Sequence, residues 1–310
     1  MAVDVIVLNN LGGGQSCQVD QLPHPGDTVK GYNWQPSIDA GKGPNACVAM
    51  ARLGVHPAFV GKAGKDPAGD RGEKWMREAG VDTSGLLRTD KVMTGQGIRI
   101  VEKSGNNLIV CGESSSRALT TQEVEREIER LQPAGYFYGG FEIREELVLA
   151  GLRKAKNCGM TTIVNLSPIP SEPVGKLDCA DYLIINETEA AMVCGLSSWK
   201  ELPMKRLAQQ VRDKLGCGCV IITLGENGCI GLRGDRFWAV SPVKVDCVDT
   251  SGAGDAFLSA VIVNLIWGKD IEDACKWAGA YASYTTMRRG TLLSYPMLEE
   301  VQGFVSQHIK

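Results

Sequence analysis

Segments typical of β-strands alternate regularly with segments typical of helices from Thr120 onward. Such alternation indicates a parallel sheet with helices on both faces, in which ligands bind beyond the carboxyl ends of the strands. The fold class predicted is therefore α/β with a mostly parallel sheet. The predicted elements are helix 122–131, strand 136–138, helix 145–158, strand 161–166, strand 182–185, helix 187–194, helix 204–215 and strand 220–223.

The first 112 residues show a different pattern. A short β-branched strand, 4–8, leads into three consecutive glycines at 12–14. A dinucleotide-binding fingerprint needs a helix immediately after its glycines, whereas 15–25 is polar and turn-like. Residues 29–38 alternate enough for a strand or hairpin, and 94–111 contains two alternating runs typical of a hairpin. These segments predict a small sheet separate from the main one.

Residues 41–45, Gly-Lys-Gly-Pro-Asn, form a glycine-rich entrance to a helix that we expect to stop at Gly54. Glycines let a ligand approach the backbone closely, and Lys42 and Asn45 can hydrogen-bond its hydroxyl groups. A tight structural turn with a solvated lysine explains the segment equally well.

Residues 249–255, Asp-Thr-Ser-Gly-Ala-Gly-Asp, lie between a predicted half-buried strand, 243–248, and a predicted buried helix, 257–266. A helix start carries unpaired amide groups and the positive end of the helix dipole, so glycines there favour anion binding. Asp255 would repel a bound phosphate, which favours a general base that takes the proton from a substrate hydroxyl. The alternative is an ordinary first-turn or capping aspartate.

Residues 186–189, Asn-Glu-Thr-Glu, follow another predicted strand, and 223–228 follow the next one along the chain. Asn186 and Glu189 offer oxygen ligands suited to hydrated magnesium. The competing interpretation is helix capping, with Asn186 as the cap and Glu189 as its reciprocal partner.

Composition favours a small-molecule substrate. The net charge of -3 and pI of about 5.8 give no electrostatic reason to expect nucleic acid or an anionic membrane as a partner. No apolar run approaches a membrane span, so we expect a cytoplasmic protein. The 11 cysteines lack the paired spacing of a zinc site and are expected to be reduced thiols.

The motifs 41–45, 186–189, 223–228 and 249–255, in that order, resemble those of the ribokinase branch of the PfkB carbohydrate kinases. The resemblance covers essentially the whole chain. It implies a single doubly wound α/β domain, 1–310, with a small β-sheet lid formed by approximately 12–40 and 94–112. It also implies transfer of phosphate from ATP to a primary hydroxyl of a sugar, with Mg²⁺ and K⁺, and a homodimer formed through the lid.

The resemblance assigns roles residue by residue. Asp255 is the base, and the amides of Gly252, Ala253 and Gly254 form the anion hole. The nucleotide, magnesium and phosphate positions are Asn186, Glu189, Thr223, Gly225 and Gly228; those of a monovalent cation are Asp249, Ser251, Gly290 and Ser294; those of the sugar are Gly12, Gly14, Gly41, Lys42, Asn45 and Glu142.

One departure concerns the acceptor. Relatives of the ribokinase branch hold sugar hydroxyls with an asparagine and an aspartate after the first strand, and these positions fall on Gly12 and Gly14. Losing two such contacts makes simple D-ribose a poor acceptor. Open space and bare amides there would suit a bulkier sugar, a nucleoside or an anionic group. The alternatives are a nucleoside kinase on the same fold and a sensor that binds sugar or nucleotide without turnover.

Overall fold

The computed structural model describes residues 2–36, 39–104, 106–112, 114–170 and 172–309. The strands of these ranges are β1 (Val5–Leu8), β2 (Gly12–Val19), β3 (Tyr32–Pro36), β4 (Pro57–Gly64), β5 (Leu86–Thr89), β6 (Gly95–Glu102), β7 (Asn107–Cys111), β8 (Tyr136–Gly140), β9 (Thr161–Asn165), β10 (Tyr182–Asn186), β11 (Cys219–Thr223), β12 (Cys229–Arg233) and β13 (Arg236–Val240). The α-helices are α1 (Lys42–Arg52), α2 (Pro67–Glu78), α3 (Thr121–Arg130), α4 (Glu145–Asn157), α5 (Glu187–Cys194), α6 (Met204–Leu215), α7 (Ala253–Ile266), α8 (Ile271–Thr286) and α9 (Leu298–His308).

The main sheet of the described residues has nine strands in the order β13-β12-β11-β10-β9-β8-β1-β4-β5. Neighbouring strands are parallel except at β11-β12 and β12-β13, which form an antiparallel edge. Strand β1 is completely buried because alternate side chains enter different cores. Val5 and Val7 pack with α1, α2, α7, α8 and α9, whereas Ile6 and Leu8 pack with α3, α4, α5 and α6. The predicted doubly wound α/β fold is confirmed.

The small sheet, called the lid below, consists of β2, β3, β6 and β7 in the order β3-β2-β6-β7. Strands β6 and β7 form the predicted hairpin, although Gly105 of its turn is outside the described residues. The strand expected within 29–38 runs from Tyr32 to Pro36, and Ser37 and Ile38 are likewise outside the described ranges.

The prediction of a turn-like segment at 15–25 is wrong for its first part. Residues 12–19 form β2, in which Gly14, Cys17 and Val19 are buried while the polar residues between them are half-buried or exposed. Pairing with β6 over the whole length of β2 stabilises this polar strand. The glycines therefore form part of a strand, and the amide of Gly12 donates to Ala40 O at 2.9 Å, so the expected bare amide is engaged.

The strand predicted at 243–248 is also wrong. No strand forms in this described segment, because β12 and β13 occupy the edge of the sheet where it would have to pair. The backbone N–H groups of Val248 and Asp249 donate instead to Thr286 O at the end of α8. The segment before α7 is thus anchored to α8 and not to the sheet.

In the described part of the chain, no helix combines the length and the apolar character that crossing a bilayer requires.

Candidate active site

The starts of α1 and α7 converge at one end of the molecule. Each helix follows a glycine with positive φ, Gly41 with φ 92° and Gly252 with φ 77°. The Ser259 hydroxyl donates to Ala46 O at 3.3 Å, which joins the two helices one turn further on. Side chains from the two first turns consequently meet each other.

The carboxylate of Asp255 lies at this meeting point and is buried, with 7% of the residue exposed. Asn45 Nδ2 donates to its Oδ2 at 3.0 Å, and Lys42 Nζ lies 3.8 Å from its Oδ1. Burial raises the pKa of Asp255; Lys42 and Asn45 oppose that shift, and the charge of Asp39 adds to it. The carboxylate does not cap α7, since the helix has no side-chain cap and the partners of Asp255 come from α1. A buried carboxylate with a raised pKa has the property required of a general base.

The turn at Gly252 is fixed by close packing. A Cβ at this position would lie 2.5 Å from Thr291 Cγ2 and 2.7 Å from the Tyr295 hydroxyl, which donates to Gly252 O at 3.2 Å. The amide of Ala253 donates to Thr250 O, whereas no acceptor among the described residues takes the N–H of Gly252 or Gly254. Two of the three predicted anion-hole amides are therefore available to a ligand.

Asp249 connects the loop before α7 to the segment that begins at Gly290. Its carboxylate accepts from Ser251 N at 2.9 Å and from Gly290 N at 3.0 Å. Burial alone would raise the pKa of Asp249, but these amide hydrogen bonds, with Arg99 nearby, lower it. The Ser294 hydroxyl is buried and donates to Thr291 O at 2.8 Å. The predicted cation-site residues are thus brought into two adjoining loops.

The two predicted nucleotide loops also lie side by side. Asn186 and Thr223 are paired in register at the ends of β10 and β11. Asn186 Oδ1 accepts from Glu189 N at 2.8 Å, and Glu189 Oε2 accepts from Asn186 N at 2.9 Å, so the capping alternative is confirmed. Glu189 is nonetheless near the site, since its charge contributes to the raised pKa of Lys42. Gly225 and Gly228 complete the β11 loop with φ values of 55° and 88°.

Sequence reasoning did not single out Asp39. Its Oδ1 accepts from Gly41 N and from Asn45 Nδ2, both at 2.9 Å, and its Oδ2 accepts from Thr291 Oγ1 at a longer 3.4 Å. The amide of Asn45 therefore bridges Asp39 and Asp255 and serves to position them. An acid two residues before the glycine turn was the available signal, but one of its contacts depends on the distant residue Thr291.

The predicted sugar residues cluster around the start of α1. Glu142 Oε2 accepts from Lys42 N at 2.9 Å and would lie 3.2 Å from a Cβ at Gly41. Burial raises the pKa of Glu142 to about 7, with Lys42 lowering it and Asp255 raising it. At Gly14, a Cβ would lie 2.5 Å from Gly97 O on the neighbouring strand. Strand packing thus excludes a carboxylate at position 14.

We expect Glu142→Gln to stabilise the protein at pH 8 and to have little effect at pH 4.5. The native carboxyl titrates near 7, above its usual 4.5, so the folded state binds more protons and loses stability as pH rises between these values. Removing the ionised group should recover up to about 3 kcal/mol. Urea denaturation at both pH values measures this, with exposed Glu125→Gln on α3 as the control. A similar change at both pH values would contradict the expectation.

The doubly wound sheet, the lid and the paired helix starts define the class of ribokinase-like α/β folds. The structure of Arabidopsis thaliana ribokinase complexed with ribose and ATP superimposes with a TM-score of 0.85, covering 98% of this chain and 99% of that one at 23% identity. The sequence profile of the pfkB family of carbohydrate kinases matches residues 25–298, and the chain belongs to this family.

Relatives of similar length support the ribokinase-like branch. Ribokinase from Staphylococcus aureus (strain COL) is 28% identical over 302 residues, 97% of this chain and 99% of the relative. Deoxyribokinase from Salmonella typhi is 26% identical over 288 residues, 93% and 94% of the two chains. The enzyme class predicted from the sequence, an ATP-dependent carbohydrate kinase, is confirmed.

Proposed function

We propose that the protein transfers the γ-phosphate of ATP to a primary hydroxyl of a sugar or sugar derivative, with Asp255 as general base. The observation that carries this proposal is the buried Asp255 carboxylate at the start of α7, next to free backbone amides and held by Asn45. A carboxylate and an anion site within one helical turn serve the two ends of a phosphoryl transfer.

In this mechanism the acceptor oxygen forms a bond to the γ-phosphorus as the bond to the β-phosphate oxygen breaks and ADP leaves. The hydroxyl proton passes to Asp255. The N–H groups of Gly252 and Gly254 donate to the oxygens of the group in transfer, aided by the positive end of the α7 dipole. The positive charge of Lys42, 3.8 Å from Asp255, favours the ionised form of the Asp255 carboxylate until the acceptor binds.

Asn186 and Glu189 could help to hold Mg²⁺, although they do not form a complete metal site. Glu189 uses one carboxylate oxygen in the capping box, and no group of three or more acidic, histidine or cysteine side chains in the described ranges could hold a metal alone. Mg²⁺ at kinase sites is commonly held by one or two carboxylates together with phosphates and water. Such an ion would neutralise charge on the nucleotide, and Glu189 would orient it.

Asp249, Ser251, Gly290 and Ser294 fit a monovalent cation through the charge of Asp249 and its two adjoining loops. We expect activity to fall when Na⁺ replaces K⁺ at equal ionic strength. The contacts of Asp249 with Ser251 and Gly290 fix the loop that leads to Gly252, and a cation of the wrong size would disturb them. Initial rates in the two salts measure the effect, with tetramethylammonium as the control. Indifference to the ion would contradict a role for these residues.

Asp39 supplies the acceptor-facing carboxylate that Gly14 lacks. It accepts a hydrogen bond from Asn45 and lies within electrostatic reach of Asp255 and Lys42. Among the described residues, its Oδ2 has only the 3.4 Å contact with Thr291. Relatives of the ribokinase branch carry this carboxylate at the position of Gly14, on the lid, whereas Asp39 lies on the approach to α1. The hydroxyl groups of the acceptor would therefore be bound from a different direction. We therefore expect an acceptor other than simple D-ribose.

An ADP-release assay with Mg²⁺ and K⁺, run over pentoses, ketohexoses, sugar acids and nucleosides, tests the proposal. We expect acceptor-dependent release with at least one sugar or sugar acid. Turnover confined to nucleosides would make the protein a nucleoside kinase. ATP binding without turnover of any acceptor would favour the sensor and overturn the proposal.

The outer face of the lid supports a homodimer. Trp34, Ile98, Leu108 and Val110 are exposed by 58, 45, 38 and 56%, and Ile98 and Val110 are register partners on one face. A contiguous exposed apolar patch is typical of an interface. We expect Val110→Lys to convert a dimer to a monomer in sedimentation velocity, while Met192→Lys on α5, 56% exposed, has no effect. A monomeric parent protein would contradict the proposal.

A further inference from the structure

One face of the lid combines glycines with an arginine. Gly12, Gly14 and Ser16 of β2 are register partners of Gly95, Gly97 and Arg99 of β6. Because alternate residues of a strand point to the same side, these six share one face. Arg99 reaches across to the loop before α7, where its Nη1 donates to Ser251 Oγ at 3.2 Å. The lid therefore brings a cation to within one residue of Gly252.

The guanidinium of Arg99 is incompletely paired. Its Nε is buried with no hydrogen-bond partner in the described ranges, and no carboxylate oxygen there lies within 4.0 Å of its terminal nitrogens. Asp249 is close enough to interact electrostatically, but its oxygens accept from Ser251 and Gly290 amides. A guanidinium offers a planar set of donors suited to two oxygens of one oxyanion.

The charges around the acceptor position are divided between two ends. Asp39, Glu142 and Asp255 surround Lys42 at the start of α1, and this acidic end suits hydroxyl groups. Arg99 lies on the lid beside Ser251, on the same face as Gly12 and Gly14. Packing excludes a carboxylate side chain at position 14. A substrate group that faces the lid therefore meets the hydrogen-bond donors of Arg99 and no carboxylate from position 14.

We propose that the acceptor is an anionic sugar derivative and that Arg99 is the residue that binds its oxyanion, either a carboxylate or a phosphate ester. This inference rests on the proposed function and specifies its substrate class. The hydroxyl to be phosphorylated faces Asp255 at the acidic end, and the anionic group pairs with the Arg99 fork on the lid.

The first test compares each neutral sugar with an acid or phosphate ester of the same carbon skeleton: D-ribose with D-ribonate, D-fructose with 2-keto-D-gluconate, and D-fructose with fructose 1-phosphate. One charge-assisted contact predicts a kcat/KM about 10- to 100-fold higher for the best anionic acceptor than for its neutral counterpart. Preference for ribonate and 2-keto-gluconate would identify a carboxylate, and preference for fructose 1-phosphate a phosphate ester. Turnover of neutral sugars only would overturn the inference and leave the proposed function standing.

The second test uses Arg99→Gln and Arg99→Lys, with Lys103→Gln as the control. Lys103 is exposed just beyond β6 on the same lid, so its replacement removes the same charge outside the site. We expect Arg99→Gln to raise KM for the anionic acceptor about 10- to 100-fold and Lys103→Gln to leave this KM unchanged. Arg99→Lys keeps the positive charge and should raise KM less than Arg99→Gln does. An equal fall in kcat for charged and neutral acceptors would assign Arg99 to the transferred phosphate and contradict the inference.

Calorimetric titration of ribonate, 2-keto-gluconate and fructose 1-phosphate into the protein, without ATP, gives a readout independent of turnover. Tighter binding than the neutral sugars show, lost in Arg99→Gln, supports the inference. Equal binding of charged and neutral sugars overturns it even if the kinase reaction occurs, whereas charged-sugar binding without turnover would overturn only the proposed function.

Discussion

Asp255→Asn is expected to lower kcat by at least about 100-fold while ATP affinity stays nearly unchanged. Asparagine can still accept the hydrogen bond from Asn45, so the starts of α1 and α7 remain joined. It cannot take the proton of the acceptor hydroxyl, and the 3.8 Å contact with Lys42 loses its charge. The effect should appear in the chemical step, in single-turnover kinetics, and not in binding.

The matched control for this variant is Asp270→Asn. Asp270 is also an aspartate at a helix start, where it caps α8, and an asparagine there keeps the capping oxygen. We expect normal turnover from the control. Near-normal turnover from Asp255→Asn would remove Asp255 from the role of base, and an equal loss in both variants would indicate general damage.

Gly252→Ala is expected to abolish most of the activity and to destabilise the fold. A Cβ there would be strained at φ 77° and would collide with Thr291 and the Tyr295 hydroxyl. The left-handed backbone alone costs about 1–2 kcal/mol for a residue other than glycine. Relief by shifting the turn would misdirect the Gly252 amide, and loss of one such donor costs about 100- to 1,000-fold in kcat.

Gly279→Ala is the control for this second variant. Gly279 lies within α8, and a Cβ there meets no atom within 4 Å, so alanine should be neutral or slightly stabilising. Measurements of kcat and of thermal unfolding separate the two expected effects. If Gly252→Ala kept full activity and stability, neither the turn nor its amide would have the proposed role.

The main sheet was predictable because its strands and helices carry local signals. The bounds predicted for α5 and α6 agree with the structure, since Asn186 caps the start of α5 and left-handed glycines, Gly195 and Gly216, follow the two helices. The segment 243–248 has an equally good strand pattern but no strand to pair with, and β2 is too polar to indicate a strand until β6 pairs with it. Pairing is a tertiary property that local patterns do not report.

The candidate site shows the same contrast between local sequence signals and tertiary contacts. The start of α7 and the Asn186–Glu189 capping box were evident from residue order, because each motif acts within one helical turn. Asp39 was not, because its contacts with Asn45 and Thr291 form only after α1 and the segment from 290 onward come together. Arg99 was predicted to be on the lid, but its approach to Ser251 depends on the β2-β6 register.

The most direct test of phosphoryl transfer follows the phosphate itself. ATP labelled in its γ-phosphoryl group is turned over with the best acceptor of the screen, and phosphorus-proton correlation spectroscopy locates the label. We predict a phosphate monoester on a primary carbon of the acceptor, formed in equal amount to ADP and lost with Asp255→Asn. If the label were found only in inorganic phosphate, or were retained in ATP, the proposed phosphoryl transfer to a sugar would be contradicted.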